Sequence, residues 1–209
     1  MKAAALLVAA ALAGCGQRGA SVETASARPW RSIATAEDRT RIREWRGAWI
    51  EGLRQARAAG HGAAIAAEGA LLAPDAALAG AALPDGSYQC RVLKLGSQGV
   101  GGLAYVPYPA FECRVRAEAG RQHFTKLAGS QRPVGHVHPD GDARGVFLGT
   151  LMLGDEGTAM RYGRDRTRDM AGIVERVGPR RWRIVLPRPR FESIVDVIEL
   201  VPVAQGATS

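Results

Sequence analysis

Apolar positions along this chain change their spacing near residue 84, which divides it into a helix-forming and a strand-forming part. Ile42, Trp45, Trp49, Leu53 and Ala56 recur at intervals of three and four, so they share one stripe of a helix. Asp38 is the candidate N-cap, the helix runs to Ala59, and the glycines at 60 and 62 break it. Residues 63–72 predict a shorter second helix. Arg39, Arg41, Arg43, Arg46, Arg54 and Arg57 mostly occupy the flanks, so the Trp-bearing stripe reads as a face packed on a core.

After Pro84-Asp85-Gly86, short β-rich runs follow one another at intervals of about ten residues. They cover 88–95, 103–108, 111–117, 122–128, 134–138, 145–153, 159–162, 170–177, 181–187 and 194–201. Pro139-Asp140-Gly141-Asp142, Gly154-Asp155-Glu156-Gly157 and Gly178-Pro179 read as hairpin turns. Arg181, Arg183 and Val185 alternate with Trp182, Ile184 and Leu186, the pattern of a half-buried strand. Residues 146–153 and 194–201 are apolar on both faces, so the N-terminal helices are expected to cover them from outside. The expected fold is mainly β: an antiparallel β-barrel or barrel-like sheet of about eight strands, with an N-terminal α-helical pair packed against it.

The N-terminus implies a compartment. Lys2 precedes an apolar run over residues 3–13 that is too short to span a bilayer and matches a secretory signal. It ends in Leu12-Ala13-Gly14-Cys15, which resembles the bacterial lipobox, where the cysteine is acylated and becomes the first mature residue. A plain signal peptide that happens to contain a cysteine is the alternative. Gly16, in place of Asp, favours the outer membrane by the same resemblance. Each buried methylene contributes about 0.8 kcal/mol, so a multiply acylated Cys15 would anchor stably. The expected organisation is a lipoprotein signal peptide over 1–14, a flexible tether over 15–36, a helical segment over 37–82 and an antiparallel β domain over 83–203. The expected location is the bacterial outer membrane, facing the periplasm.

Composition adds limits. With 209 residues, 46% hydrophobic and 23% charged, the chain suits one soluble domain and is neither disordered, collagen-like nor a polytopic membrane protein. The formal net charge is +8, yet only Lys2, Lys94 and Lys126 are lysines and Asn is absent, the bias of a GC-rich genome. The basic surface then needs no nucleic-acid partner, and a secretory address removes one.

Candidate chemistry is sparse. Cys90 and Cys113 lie in similar settings, Gln89-Cys90-Arg91-Val92 and Glu112-Cys113-Arg114-Val115. Strand alternation places each sulfur on an apolar face of two consecutive strands, so an oxidising compartment predicts a disulfide, two buried thiols being the alternative. His136, His138 and Asp140 could contribute to a divalent-metal site, although Pro-Asp-Gly-Asp is also what a tight turn wants. No metal or other cofactor is expected. Arg164, Arg166 and Arg168 could hold an anion, or could simply pair with the carboxylates between them. The chain contains no Gly-x-Ser-x-Gly, P-loop, dinucleotide fingerprint or His-Glu-x-x-His.

Several motifs together carry a family resemblance. Cys90-Arg91, Lys94-Leu95-Gly96, Phe111-Glu112-Cys113, and Lys126 with Gly129-Ser130-Gln131-Arg132-Pro133 and Gly135 are its first part. Arg144-Gly145-Val146-Phe147-Leu148-Gly149, Tyr162-Gly163-Arg164-Asp165 with Arg168-Asp169, and Arg181-Trp182-Arg183 with Glu192-Ser193 extend it. From Trp45 to Pro202 the chain resembles the uncharacterised bacterial proteins of domain of unknown function 4893. That resemblance implies no activity. The functional expectation is a lipid-anchored, non-enzymatic binding or interaction module for an unknown protein or small-molecule ligand. A periplasmic inhibitor of a hydrolase, or a metal-dependent enzyme using His136 and His138, are the alternatives.

Overall fold

Alternation of period two, sustained from Gly86 to Pro202, rolls the chain into a barrel. The computed structural model describes residues 29–204. Among them the strands are β1 (Gly86–Leu95), β2 (Tyr105–Pro107), β3 (Phe111–Glu118), β4 (Arg121–Lys126), β5 (Gln131–Pro139), β6 (Gly145–Leu153), β7 (Asp169–Gly178), β8 (Arg181–Pro187) and β9 (Val195–Pro202). From β3 to β9 each strand pairs antiparallel with the next. β1 pairs with β3 through its first half and with β9 along most of its length, which closes a barrel of eight strands. β2 is an addition at the end of β1, from Leu93↔Pro107 to Leu95↔Tyr105.

Alternation sorts side chains into two cores. Tyr88, Cys90, Val115, Phe124, Phe147, Ile184 and Ile198 point inward and pack as the barrel interior. Gly149 stands opposite Gly135, and a Cβ on Gly149 would lie 2.5 Å from the tip of the Phe147 ring. Only bare backbone leaves room there for Phe147, which meets Phe124 edge-on at 5.8 Å. Leu93, Leu148, Ile173, Val185 and Val197 point outward and form the second core with Trp45, Trp49 and Leu53. Strands apolar on both faces are thus covered from outside, as their pattern requires.

The covering layer comprises α1 (Trp30–Ile33), α2 (Ala36–Arg43), α3 (Trp45–Ala56) and α4 (Gly62–Ala67). The helix expected to start at Asp38 is two helices jointed at Glu44, and its cap is Thr35, whose hydroxyl accepts the Asp38 N–H at 3.1 Å. Asp38 instead directs its carboxylate to Arg41 and Tyr162. Gly60, with φ of 88°, kinks the chain between α3 and α4, the break expected there. The end of the span expected as tether is folded: Trp30 is buried and its indole N–H donates to Asp140 Oδ1 at 2.9 Å. Arg31 pairs with the same Asp140, and Arg39 donates to the Ala34 carbonyl, so the segment is tied at several points. Cys15 and the signal segment lie outside the described residues.

Residues 159–162, expected as a strand, belong to the connection between β6 and β7. Tyr162 ties that connection to α2, accepting the Thr35 N–H at 3.0 Å and donating to Asp38. One barrel end is sealed by the segment entering β1. Leu78 N–H donates to Arg176 O at 2.8 Å, Gly80 and Ala81 N–H to Asp142 O, and Leu83 joins the inner core. The Gln122 amide satisfies both backbone groups of Leu83. No such segment crosses the other end, among the described residues.

Candidate ligand cavity

At that open end the inner side chains stop short of the connecting loops and leave a cavity of about 550 Å³. Val92, Phe111, Leu151, Met170, Leu186 and Ile198 make its walls apolar. Ionisable groups sit among them at the mouth. Lys94 on β1 and Asp196 on β9 are cross-strand partners; Lys94 also pairs with Glu192, and the Ser193 hydroxyl donates to Asp196. Burial pushes the Asp196 carboxyl up to about 6, although Lys94 and Ser193 act in the opposite direction. Burial disfavours the Lys94 charge, but Asp196 and Glu192 outweigh it and hold its pKa above the usual lysine value.

Lys126, at the end of β4, is placed differently. Its Nζ lies 4.2 Å from the centroid of the Phe111 ring, and no carboxylate pairs with it among the described residues. Burial pushes its pKa down. The other basic side chains at the cavity are paired: Arg41 with Asp38, Arg168 with Glu156, Arg190 with Glu37. Asp169 is buried beside the mouth, where Oδ1 accepts the Gly163 N–H at 2.8 Å and Oδ2 has no partner. Burial, with Asp38 nearby, raises its pKa.

The three arginines expected to form an anion site do not converge. Arg164 and Arg166 are exposed on the β6–β7 connection, while Arg168 alone reaches the cavity and is held by Glu156 and Asp165. Only Arg168 of the three is ion-paired among the described residues, and exposed Arg164 and Arg166 do not converge with it on one site. His136 and His138 share the outer face of β5, and His123 of β4 stands 5.1 Å from His136, ring to ring. Asp140 is separated from them by its bonds to Trp30 and Arg31, at 2.9 and 3.0 Å. Among the described residues no three His, Cys, Asp or Glu side chains are arranged to hold a metal.

Cys90 and Cys113 face inward on neighbouring strands, as alternation predicts, and both are buried thiols. Tyr88 stands opposite Cys113 and Phe111 opposite Cys90, so the cysteines are diagonal neighbours whose side chains meet. Burial, with the Cys113 thiol beside it, pushes the Cys90 thiol up.

Sequence reasoning missed Lys94, Lys126 and Asp196 as a group. A signal was present: each sits at an inward position of its strand, in step with Val92, Phe124 and Ile198. A charge on the inward face of a barrel strand needs a partner, water or a ligand. Lys94, Lys126 with Ser130, Arg168 and Glu192, from four separate stretches and all within the motifs of the family resemblance, meet at this mouth. No curated protein and no solved structure matches the chain. The family model "Domain of unknown function (DUF4893)" matches residues 30–200, and the chain belongs to that family.

Proposed function

We propose that this protein is a non-enzymatic binding module that takes up a small, largely apolar molecule at the barrel mouth. The cavity carries this reading: its volume of about 550 Å³ and apolar walls with a few polar groups are those of a small-ligand site. Most ionisable groups at the mouth are committed to one another, which suits orienting a ligand rather than reacting with it. Val100, Leu103, Tyr108, Leu127 and Phe191 are exposed on the loops of the same end, an apolar rim suited to receiving such a ligand. The envelope location remains part of the proposal and rests on Cys15; loss of the Cys15→Ala variant from the membrane fraction is its test.

The neutral fluorophore N-phenyl-1-naphthylamine tests the cavity directly. It should bind saturably at one site, with enhanced emission, and Met170→Trp should weaken uptake by narrowing the cavity. Circular dichroism checks that this variant folds. Folded wild-type protein that takes up no probe, or a folded Met170→Trp protein that takes it up equally, overturns the reading.

A further inference from the structure

Lys126 differs from the other basic side chains around the cavity. Each of those has a carboxylate partner, and so does Lys94, which two acidic groups attend. The Lys126 ammonium is half-buried and rests on the Phe111 ring, a contact weaker than a charge-assisted hydrogen bond. Its three donors therefore keep capacity for an acceptor, and the nearest open space is the cavity.

The surroundings repeat the bias. Ser130 and Gln131 line the same wall, and neither side chain bonds to protein among the described residues. Gly129 brings bare backbone alongside: a Cβ there would stand 3.4 Å from Lys126 Nζ. Of the carboxylates lining the mouth, Glu192 pairs with Lys94, Asp196 accepts from Ser193, and Asp169 of β7 accepts the Gly163 N–H. One wall thus offers a cation and two uncommitted polar side chains, while the space below is lined by Val92, Leu151 and Ile198.

We infer that the ligand is an amphiphile with a single anionic head, held by Lys126 with Ser130 and Gln131, and an unbranched apolar body lying in the barrel. This assignment rests on the cavity reading and specifies the chemistry of its occupant. A carboxylate of the fatty-acid type fits: one oxygen faces the ammonium, the other the Ser130 or Gln131 donors. A neutral alcohol of equal chain length would gain the apolar contacts and lose the charge-assisted bond. An alkylammonium would meet Lys126 as a like charge.

The test is competition against N-phenyl-1-naphthylamine by dodecanoate, dodecanol and dodecylammonium, at neutral pH, low salt and concentrations below their micelle thresholds. Dodecanoate should compete about tenfold or more better than dodecanol, and dodecylammonium least. Lys126→Met keeps the stem and removes the charge, so it should abolish the carboxylate's advantage and leave dodecanol unchanged. Lys126→Arg should restore the advantage. Equal competition by dodecanoate and dodecanol in wild type, or a preference that survives Lys126→Met, overturns the head assignment while uptake of the probe still upholds the cavity. Failure of the probe and all three amphiphiles to bind overturns both.

Discussion

His138 looks like half of a metal site in sequence; in the fold it is a buried neutral side chain whose Nδ1 has no partner. Burial first, then the charges of Arg121 and His136, push its pKa down to about 4 from 6.5. Between those values the unfolded chain binds a proton that the folded chain refuses. Stability is therefore full above pH 6.5 and is lost progressively as pH falls towards 4, by at most about 3 kcal/mol for this group. His136 is shifted in the same direction, chiefly by burial, and adds to the loss. His138→Leu should flatten this acid limb, read as urea midpoints at pH 7 and pH 4.5. An unchanged difference between the two midpoints would mean that His138 titrates as it does in the unfolded chain. At this scale the alternation was legible, since 136 and 138 do share a face. What covers that face was not, because burial depends on chain from elsewhere.

At the scale of elements, β8 marks where local pattern and tertiary context part. Its sequence alternates Arg181, Arg183 and Val185 with apolar residues, as if one face met solvent. The strand bounds come out as Arg181–Pro187, but Arg183 is fully buried beneath α3. Its guanidinium pairs with Glu175 of β7 at 2.6 Å, donates to Ala70, Leu71, Ala73 and Pro74 carbonyls, and stacks 4.4 Å from Trp49. Those carbonyls end the helical layer, so one side chain ties barrel, helix and connecting segment together. Long-range partners of this kind leave no mark in the spacing of the strand itself. Removing Arg183 leaves Glu175 buried with Arg144, at 3.0 Å, as its remaining partner, so Arg183→Ala should cost about 3 kcal/mol, the low end for a broken buried pair. Replacing both with apolar side chains, Arg183→Met with Glu175→Leu, should cost distinctly less, although the carbonyls lose their donor. Denaturant unfolding of the two variants decides it, and a double variant no more stable than Arg183→Ala would sink the ion-pair account.

For the whole molecule, the sequence divides near residue 83 into a helical and a β segment, and most strand runs, the barrel and the covering helices were legible from period and turn chemistry. The division does not describe how stability is distributed. Leu93, Leu148, Ile173, Val185 and Val197 belong to barrel strands, yet they pack with Trp45, Trp49 and Leu53 of α3. Gly52 brings α3 so close to β1 that an added Cβ would meet Leu95 O at 3.0 Å. The segment from the helices to β1 also seals the closed end through Leu83 and Gln122. Without residues 30–82 the barrel would expose one whole apolar flank, at about 25 cal/mol for each Å² uncovered, and lose the Leu78, Gly80 and Ala81 bonds at its sealed end. Helices and barrel should therefore unfold in one cooperative step, with far-UV ellipticity and Trp fluorescence falling together. A fragment spanning 83–203 should lack the near-UV signal of fixed Trp182 packing and should bind hydrophobic dyes non-specifically. If that fragment instead folds with a sharp thermal transition, the outer core is a decoration and the barrel stands alone.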